Sequence, residues 1–169
     1  MKYKFDKRIF LISLIVFILA FYLLRRRTEG FTTKTSYSQI NQDTNVLKHF
    51  GNKKGGYFIE IGANDGIQLS NTYLLEKEFD WKGICIEPVP SLYNKLKQNR
   101  TCITIPSAVY DTDNETVTLV EGNGDAMLSG IIDDIDKHKQ VLKNNNGKFQ
   151  AKTKTLTTIL KENGSPKYI

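Results

Sequence analysis

Tyr57-Phe58-Ile59-Glu60-Ile61-Gly62-Ala63-Asn64-Asp65-Gly66 is the stretch that decides the fold. Tyr57 to Ile61 are apolar and β-prone apart from Glu60, so they read as a short buried strand. Gly62 and Gly66 then permit backbone angles and close approach that a Cβ forbids, and the strand stops at a polar turn. A carboxylate on a buried strand is costly without a partner. A ligand hydroxyl or amine, or a row of backbone N–H groups, would supply one for Glu60. The pattern is E-x-G-x-x-x-G. Glu60 stands where the dinucleotide fingerprint G-x-G-x-x-G needs its first glycine, which disfavours pyrophosphate binding.

Outward from this stretch the chain alternates. Upstream, Val46, Leu47 and Phe50 at 3–4 spacing predict a short helix packed on the sheet, with Asp43 placed to cap it. Downstream, Thr72 to Phe79 predict a helix with Leu75 and Phe79 on one face. Ser70 or Asn71 suits its N-cap, and either could instead reach a ligand beside the glycine turn. Trp81 falls at the helix–strand junction. Gly83-Ile84-Cys85-Ile86-Glu87-Pro88 then repeats the opening theme, a short apolar strand ending in a carboxylate 25 positions beyond Gly62. In nucleotide-binding α/β folds an acid near this offset hydrogen-bonds ribose hydroxyls. Two vicinal hydroxyls present two donors, and an ionised strand-end carboxylate accepts both.

Ser91 to Lys97 reads as a second helix, with Leu92 and Leu96 inward. Thr101 to Ile105 reads as a third strand, ending at Pro106-Ser107-Ala108-Val109. Strand, helix, strand, helix, strand implies α/β architecture: a parallel sheet with right-handed crossovers. Ligands of such sheets sit outside the carboxyl ends of the strands, where Glu60, Glu87 and Ser107-Ala108 all fall. Further on, Glu115 to Val120 alternates as a strand or hairpin, Asn123 to Gly130 is loop-like, and Asp133 to Leu142 reads as a polar helix broken at Asn144 to Gly147. Lys152 to Thr155 is extended, Leu156 to Leu160 begins another helix, and Lys167-Tyr168-Ile169 starts a fourth core strand.

The chain has 169 residues and a formal net charge of +6. The excess is local. Residues 1–27 hold seven basic side chains (Lys2, Lys4, Lys7, Arg8, Arg25, Arg26 and Arg27) against Asp6, and from Thr28 onward 17 basic residues balance 17 acidic ones. The folded part therefore has no electrostatic reason to seek nucleic acid. The basic residues flank Ile9 to Leu24, an apolar run of 16 residues interrupted by Ser13. At about 1.5 Å per residue it would span roughly 24 Å, and interfacial anchoring by Tyr22 and snorkelling by its basic flanks could extend it. The expectation is a single-pass N-terminal membrane anchor over residues 1–27, its side of the membrane undecided, then a stalk over 28–36 and one domain over 37–169. Asn99-Arg100-Thr101, Asn114-Glu115-Thr116 and Asn163-Gly164-Ser165 are formal glycosylation acceptors and favour a lumenal domain mildly. Cys85 and Cys102 form neither a disulfide scaffold nor a metal motif; both read as thiols in or beside buried strands, with a single bridge as the alternative. His49 and His138 have no metal-ligand spacing around them. Asp133, Asp134 and Asp136 read as a solvated acidic face, and no metal is expected.

Taken together, Gln42-Asp43, Gly56 to Gly66, Leu69-Ser70-Asn71-Thr72, Trp81 to Pro88 and, more weakly, Leu128-Ser129-Gly130 resemble the FkbM-type methyltransferases, a branch of the class I enzymes that use S-adenosylmethionine (SAM). The resemblance covers about Ser38 to Ile169. It implies a Rossmann-like sheet of seven strands, SAM as methyl donor, and oxygen methylation of a small molecule or sugar. The turn holding Glu60, Gly62, Ala63, Asn64, Asp65 and Gly66 would pass under the amino-acid end of SAM, with Asp65 either meeting its ammonium or capping the turn. Ser70 and Asn71 stand beside that turn, Glu87 and Pro88 at the ribose, and Ser107 and Ala108 at the third strand end. In that family the fourth strand ends in an acidic motif near the methyl, and this sequence stops as that strand begins. No general base can be named from it. Three alternatives stay open: a fragment, a chain completed by a partner or a second copy, and a membrane-anchored binding protein that keeps the fold without turnover.

Overall fold

The computed structural model describes residues 14–21, 35–120, 130–131, 147–164 and 166. The expectations for the basic flanks, most of the stalk, the loop and polar helix between 121 and 146, His138, the Asp133–Asp136 cluster, Leu128-Ser129 and the strand at 167–169 lie outside these residues. The chain divides into two units, Met1–Thr35 and Ser36–Ile169.

In the first unit, residues 14–21 form a helix (α1) whose apolar side chains are exposed. Eight residues rise only about 12 Å, against a hydrocarbon core of about 30 Å. No helix among the described residues is long and apolar enough to cross a membrane. This overturns the expectation of a transmembrane helix over residues 9–24, and with it the single-pass membrane location.

In the second unit the predicted alternation is present. Helix α2 (Gln42–His49) precedes β1 (Tyr57–Ile61), α3 (Tyr73–Phe79), β2 (Lys82–Ile86), α4 (Pro90–Asn99) and β3 (Ile103–Ile105). The three strands pair in parallel in the order β1-β2-β3, with Ile59 opposite Ile84 and Glu60 opposite Cys85. Side chains alternate across a strand, so Phe58, Glu60 and Cys85 face one layer, and Ile59, Ile84 and Ile86 the other. On the first face Phe58 and Cys85 join Leu47 of α2, Leu74, Leu75 and Phe79 of α3, Trp81 and Leu96 of α4 in one core. On the second, Ile84 and Ile86 pack against Ile159 of α5 (Leu156–Glu162). Burial on both faces is why β2 reads as an almost unbroken apolar run. Proline opens α4 at its first turn, where no N–H is needed. Trp81 sits at the expected junction, its indole N–H donating to the Lys53 carbonyl at 2.7 Å.

A second sheet follows. β4 (Ala108–Val109), β5 (Thr116–Val120), β6 (Gly130–Ile131) and β7 (Lys148–Lys154) pair in the order β4-β7-β5-β6, with β4 and β7 parallel and the other pairs antiparallel. Asp113, before β5, accepts from the Thr155 N–H and the Thr158 hydroxyl, both at 2.6 Å, and so fixes the start of α5.

Two local expectations change. The N-cap of α2 is Asn41, while Asp43 lies inside the helix and is fully buried. Its carboxylate accepts from the Ser36 hydroxyl at 2.5 Å, the Tyr37 N–H at 2.8 Å and the Ser38 hydroxyl at 2.8 Å. Burial works to raise this carboxyl, but those donors and the Thr44 N–H outweigh it and hold the group below its usual range. Asp43 thus ties down the segment that bridges Ser38 to Leu69. The N-cap of α3 is Thr72, with no side-chain cap bond of its own; the Ser70 hydroxyl accepts from the Thr72 and Tyr73 N–H groups instead.

Candidate functional site

The turn after β1 folds over the end of β2. The N–H groups of Gly62 and Ala63 both donate to the Ile86 carbonyl, at 2.9 and 3.0 Å. Gly62 has φ +73°, and no atom lies within 4 Å of where its Cβ would stand. Its open side therefore faces space at the carboxyl ends of β1 and β2. Ala63 turns inward and is buried. The Asn64 N–H donates to Glu87 Oε2 at 2.8 Å, and the Val89 N–H donates to Glu87 Oε1 at 2.9 Å. Glu87, itself buried, links the two turns that follow β1 and β2. Pro88 lies beside it, half-buried.

The rest of the turn is internally committed. Asp65 Oδ1 accepts from the Ile67 and Gln68 N–H groups at 2.9 and 2.8 Å, an Asx-type turn. Of the two roles the sequence leaves open for Asp65, these contacts belong to the cap. Gly66 has φ +84°, and a Cβ there would stand 2.7 Å from Leu96 Cδ1 and 2.8 Å from Arg100 Cγ. The two glycines thus serve different ends: Gly62 leaves a space open, and Gly66 lets α4 close in.

Glu60 does not reach the strand ends. It is buried among side chains under α3 and α4. The Ser70 hydroxyl donates to it at 2.9 Å, the Asn71 N–H at 2.7 Å and the Thr72 hydroxyl at 2.5 Å. Arg100 Nη1 lies 3.2 Å from Glu60 Oε2, and the guanidinium side chain is 0% exposed. The same guanidinium donates through Nε to Glu76 at 2.6 Å and through Nη2 to Thr72 Oγ1 at 2.8 Å. Burial works to raise the Glu76 carboxyl, but the Thr101 N–H and hydroxyl and Arg100 outweigh it and bring it down to about 2. Cys85 lies 3.8 Å from Glu60, and its sulfur is 3.5 Å from that of Cys102; both thiols are free. The neighbouring Cys102 thiol and burial push the Cys85 thiol up.

The predicted site residues therefore separate. Gly62, Asn64 and Glu87 meet at the carboxyl ends of β1 and β2. Glu60, Ser70 and the Asn71 N–H belong to the buried network behind them. Ser107 and Ala108 are buried where β3 hands over to β4, and the Ser107 hydroxyl donates to the Lys152 carbonyl of β7 at 2.9 Å. Arg100 and Glu76 are the residues that sequence reasoning missed. The signal was present: Leu92 and Leu96 form the buried stripe of α4, and Arg100, the residue just past the helix, continues their four-residue spacing.

A cavity of about 590 Å³ opens at the other ends of the strands, lined by Phe50, Lys53, Tyr57, Trp81 and Lys82 among others. Open parallel sheets bind ligands at their carboxyl ends, so the candidate site is the turn beside Gly62 and not this cavity.

A family model described as the methyltransferase FkbM domain matches residues 60–169. No curated protein and no solved structure matches the chain.

Proposed function

The chain belongs to the FkbM methyltransferase family, and from that premise we propose that it takes SAM as donor and methylates an oxygen of a sugar or small-molecule hydroxyl. One observation carries the donor-site reading: the Asn64 N–H to Glu87 bond of 2.8 Å, which sets a buried carboxylate beside the open side of Gly62. The residues present suit the donor. Glu87 is an acceptor on a fixed strand end, suited to the paired hydroxyls of a ribose. Gly62 leaves unfilled the space that a Cβ would take, suited to the close passage of a ligand's amino-acid end. Ala63 and Asn64 hold the floor between them. Bound there, SAM supplies a methyl group activated by its sulfonium.

This chain's own residues contribute orientation. Holding the donor in one pose lowers the entropic part of the barrier to in-line attack. Glu60, Asp65, Gly66 and Ser70 act on the shape of the turn, because their polar groups or close contacts are committed inside the protein.

Calorimetric titration of the full chain with SAM and with its demethylated product tests the reading. Saturable binding is expected. Glu87→Ala should weaken it by about 1–3 kcal/mol, the usual cost of leaving buried polar partners unmet. Folded protein that shows no saturable binding of either compound would overturn the donor assignment.

A further inference from the structure

The last residue of α4 and the one after it reach back to the turn. Asn99 Nδ2 donates to the Asp65 carbonyl at 2.8 Å, and Arg100 Nη1 donates to the Gly66 carbonyl at 3.1 Å. Those are consecutive carbonyls of the turn that follows β1. We propose that Asn99 and Arg100 are positioning residues, which fix the angle at which the turn presents Gly62 and Asn64 to the donor. The inference rests on the donor-site reading given above.

Three observations carry it. First, the guanidinium is anchored before it meets the turn. Nε is taken by Glu76, Nη2 by Thr72, and Nη1 is shared among Glu60, Ser70 and the Gly66 carbonyl. A planar fork held at several points is a rigid post, which a lysine's single ammonium could not reproduce. Second, the turn is seated on that post, since the missing Cβ of Gly66 admits the stem of Arg100. Third, the same turn continues to the Asn64 N–H that holds Glu87. A change at Asp65 or Gly66 therefore has only one or two residues to travel before it reaches Asn64.

A purely structural role would act on global stability, whereas positioning acts on the turn. Asn99→Ala separates the two, because Asn99 is only half-buried and its loss strands no charge. In the full chain this variant should unfold close to the wild-type temperature, while amide exchange over residues 63–68 accelerates and affinity for demethylated SAM falls about three- to tenfold, the worth of one hydrogen bond. Arg100→Lys should lower the unfolding temperature and weaken the ligand further. Wild-type exchange over 63–68 together with wild-type affinity in Asn99→Ala would overturn the proposal. Faster exchange there, in a protein whose wild type binds no donor, would support positioning of the turn and sink the donor reading instead.

Discussion

Glu60 and Glu87 are the same residue at nearly the same place on neighbouring parallel strands, and both are buried, yet they meet different partners. Glu60 is the fourth residue of β1, so alternation turns it into the layer under α3 and α4. There its partners are hydroxyls, one N–H and a buried guanidinium. Glu87 stands one residue past β2, beyond the pleat, and accepts from backbone N–H groups of the two strand-end turns. Position relative to the end of the strand, more than distance from a glycine, decides whether an acid meets the helix layer or the strand-end turns.

The sharpest way to break this comparison is to remove Glu60. Glu60→Ala would remove one of the two carboxylates paired with the buried Arg100 and leave the Ser70 and Thr72 hydroxyls and the Asn71 N–H without this acceptor, and breaking a buried ion pair costs about 3–5 kcal/mol. Urea unfolding should show that loss. A stable Glu60→Ala protein that had lost only donor binding would return Glu60 to the ligand side. Gly66→Ala comes next. The added methyl overlaps the Arg100 stem and the backbone holds a positive φ, so overpacking and strain together should cost about 2–4 kcal/mol. Glu87→Ala leaves the Asn64 and Val89 N–H groups without this acceptor and should cost about 1–3 kcal/mol in the same assay. A Glu87 variant less stable than the Glu60 variant would invert the comparison.

Acid sharpens it in another way. The Glu76 carboxyl sits at about 2 in the folded protein, below its ordinary 4.5. Its share of stability is fully present above about 4.5 and is lost as pH falls from there toward 2. Glu76→Gln should therefore flatten the slope of unfolding free energy across that window and leave the slope near neutrality unchanged. An unchanged acid limb would mean that Arg100 and Thr101 do not hold Glu76 ionised.

Much of this arrangement could be read from local pattern. The β1, α3, β2, α4 and β3 elements follow from apolar periodicity. What resisted was set by long-range pairing. Glu60 visibly needed a partner, but the sequence offered only a ligand or a row of backbone N–H groups, and it is the packing of α4 against Gly66 that brings Arg100, 40 positions on, into contact. Asp43 looked like a cap because capping is local, whereas its donors lie on a segment that the Ser38–Leu69 bridge fixes. The apolar run at residues 9–24 has the composition of a membrane span, but its described helix covers only 14–21. β4 and β7 pair across 38 intervening residues, which no periodicity announces.

The smallest expected effect on stability tests the ligand end most directly. Gly62 and Gly66 both hold positive φ, but a Cβ at Gly62 would meet no atom within 4 Å. Gly62→Ala should therefore carry backbone strain alone, about 1–2 kcal/mol, and no packing penalty. If the space beside Gly62 is where the donor passes, the new methyl occupies it, and affinity for demethylated SAM should fall by about tenfold or more, which is 1.4 kcal/mol. Gly66→Ala should show the converse: a larger loss of stability, with ligand affinity following only as far as the turn is disturbed. Wild-type affinity in a folded Gly62→Ala protein would place the donor on some other surface, even with Glu87 unchanged in its role at the two turns.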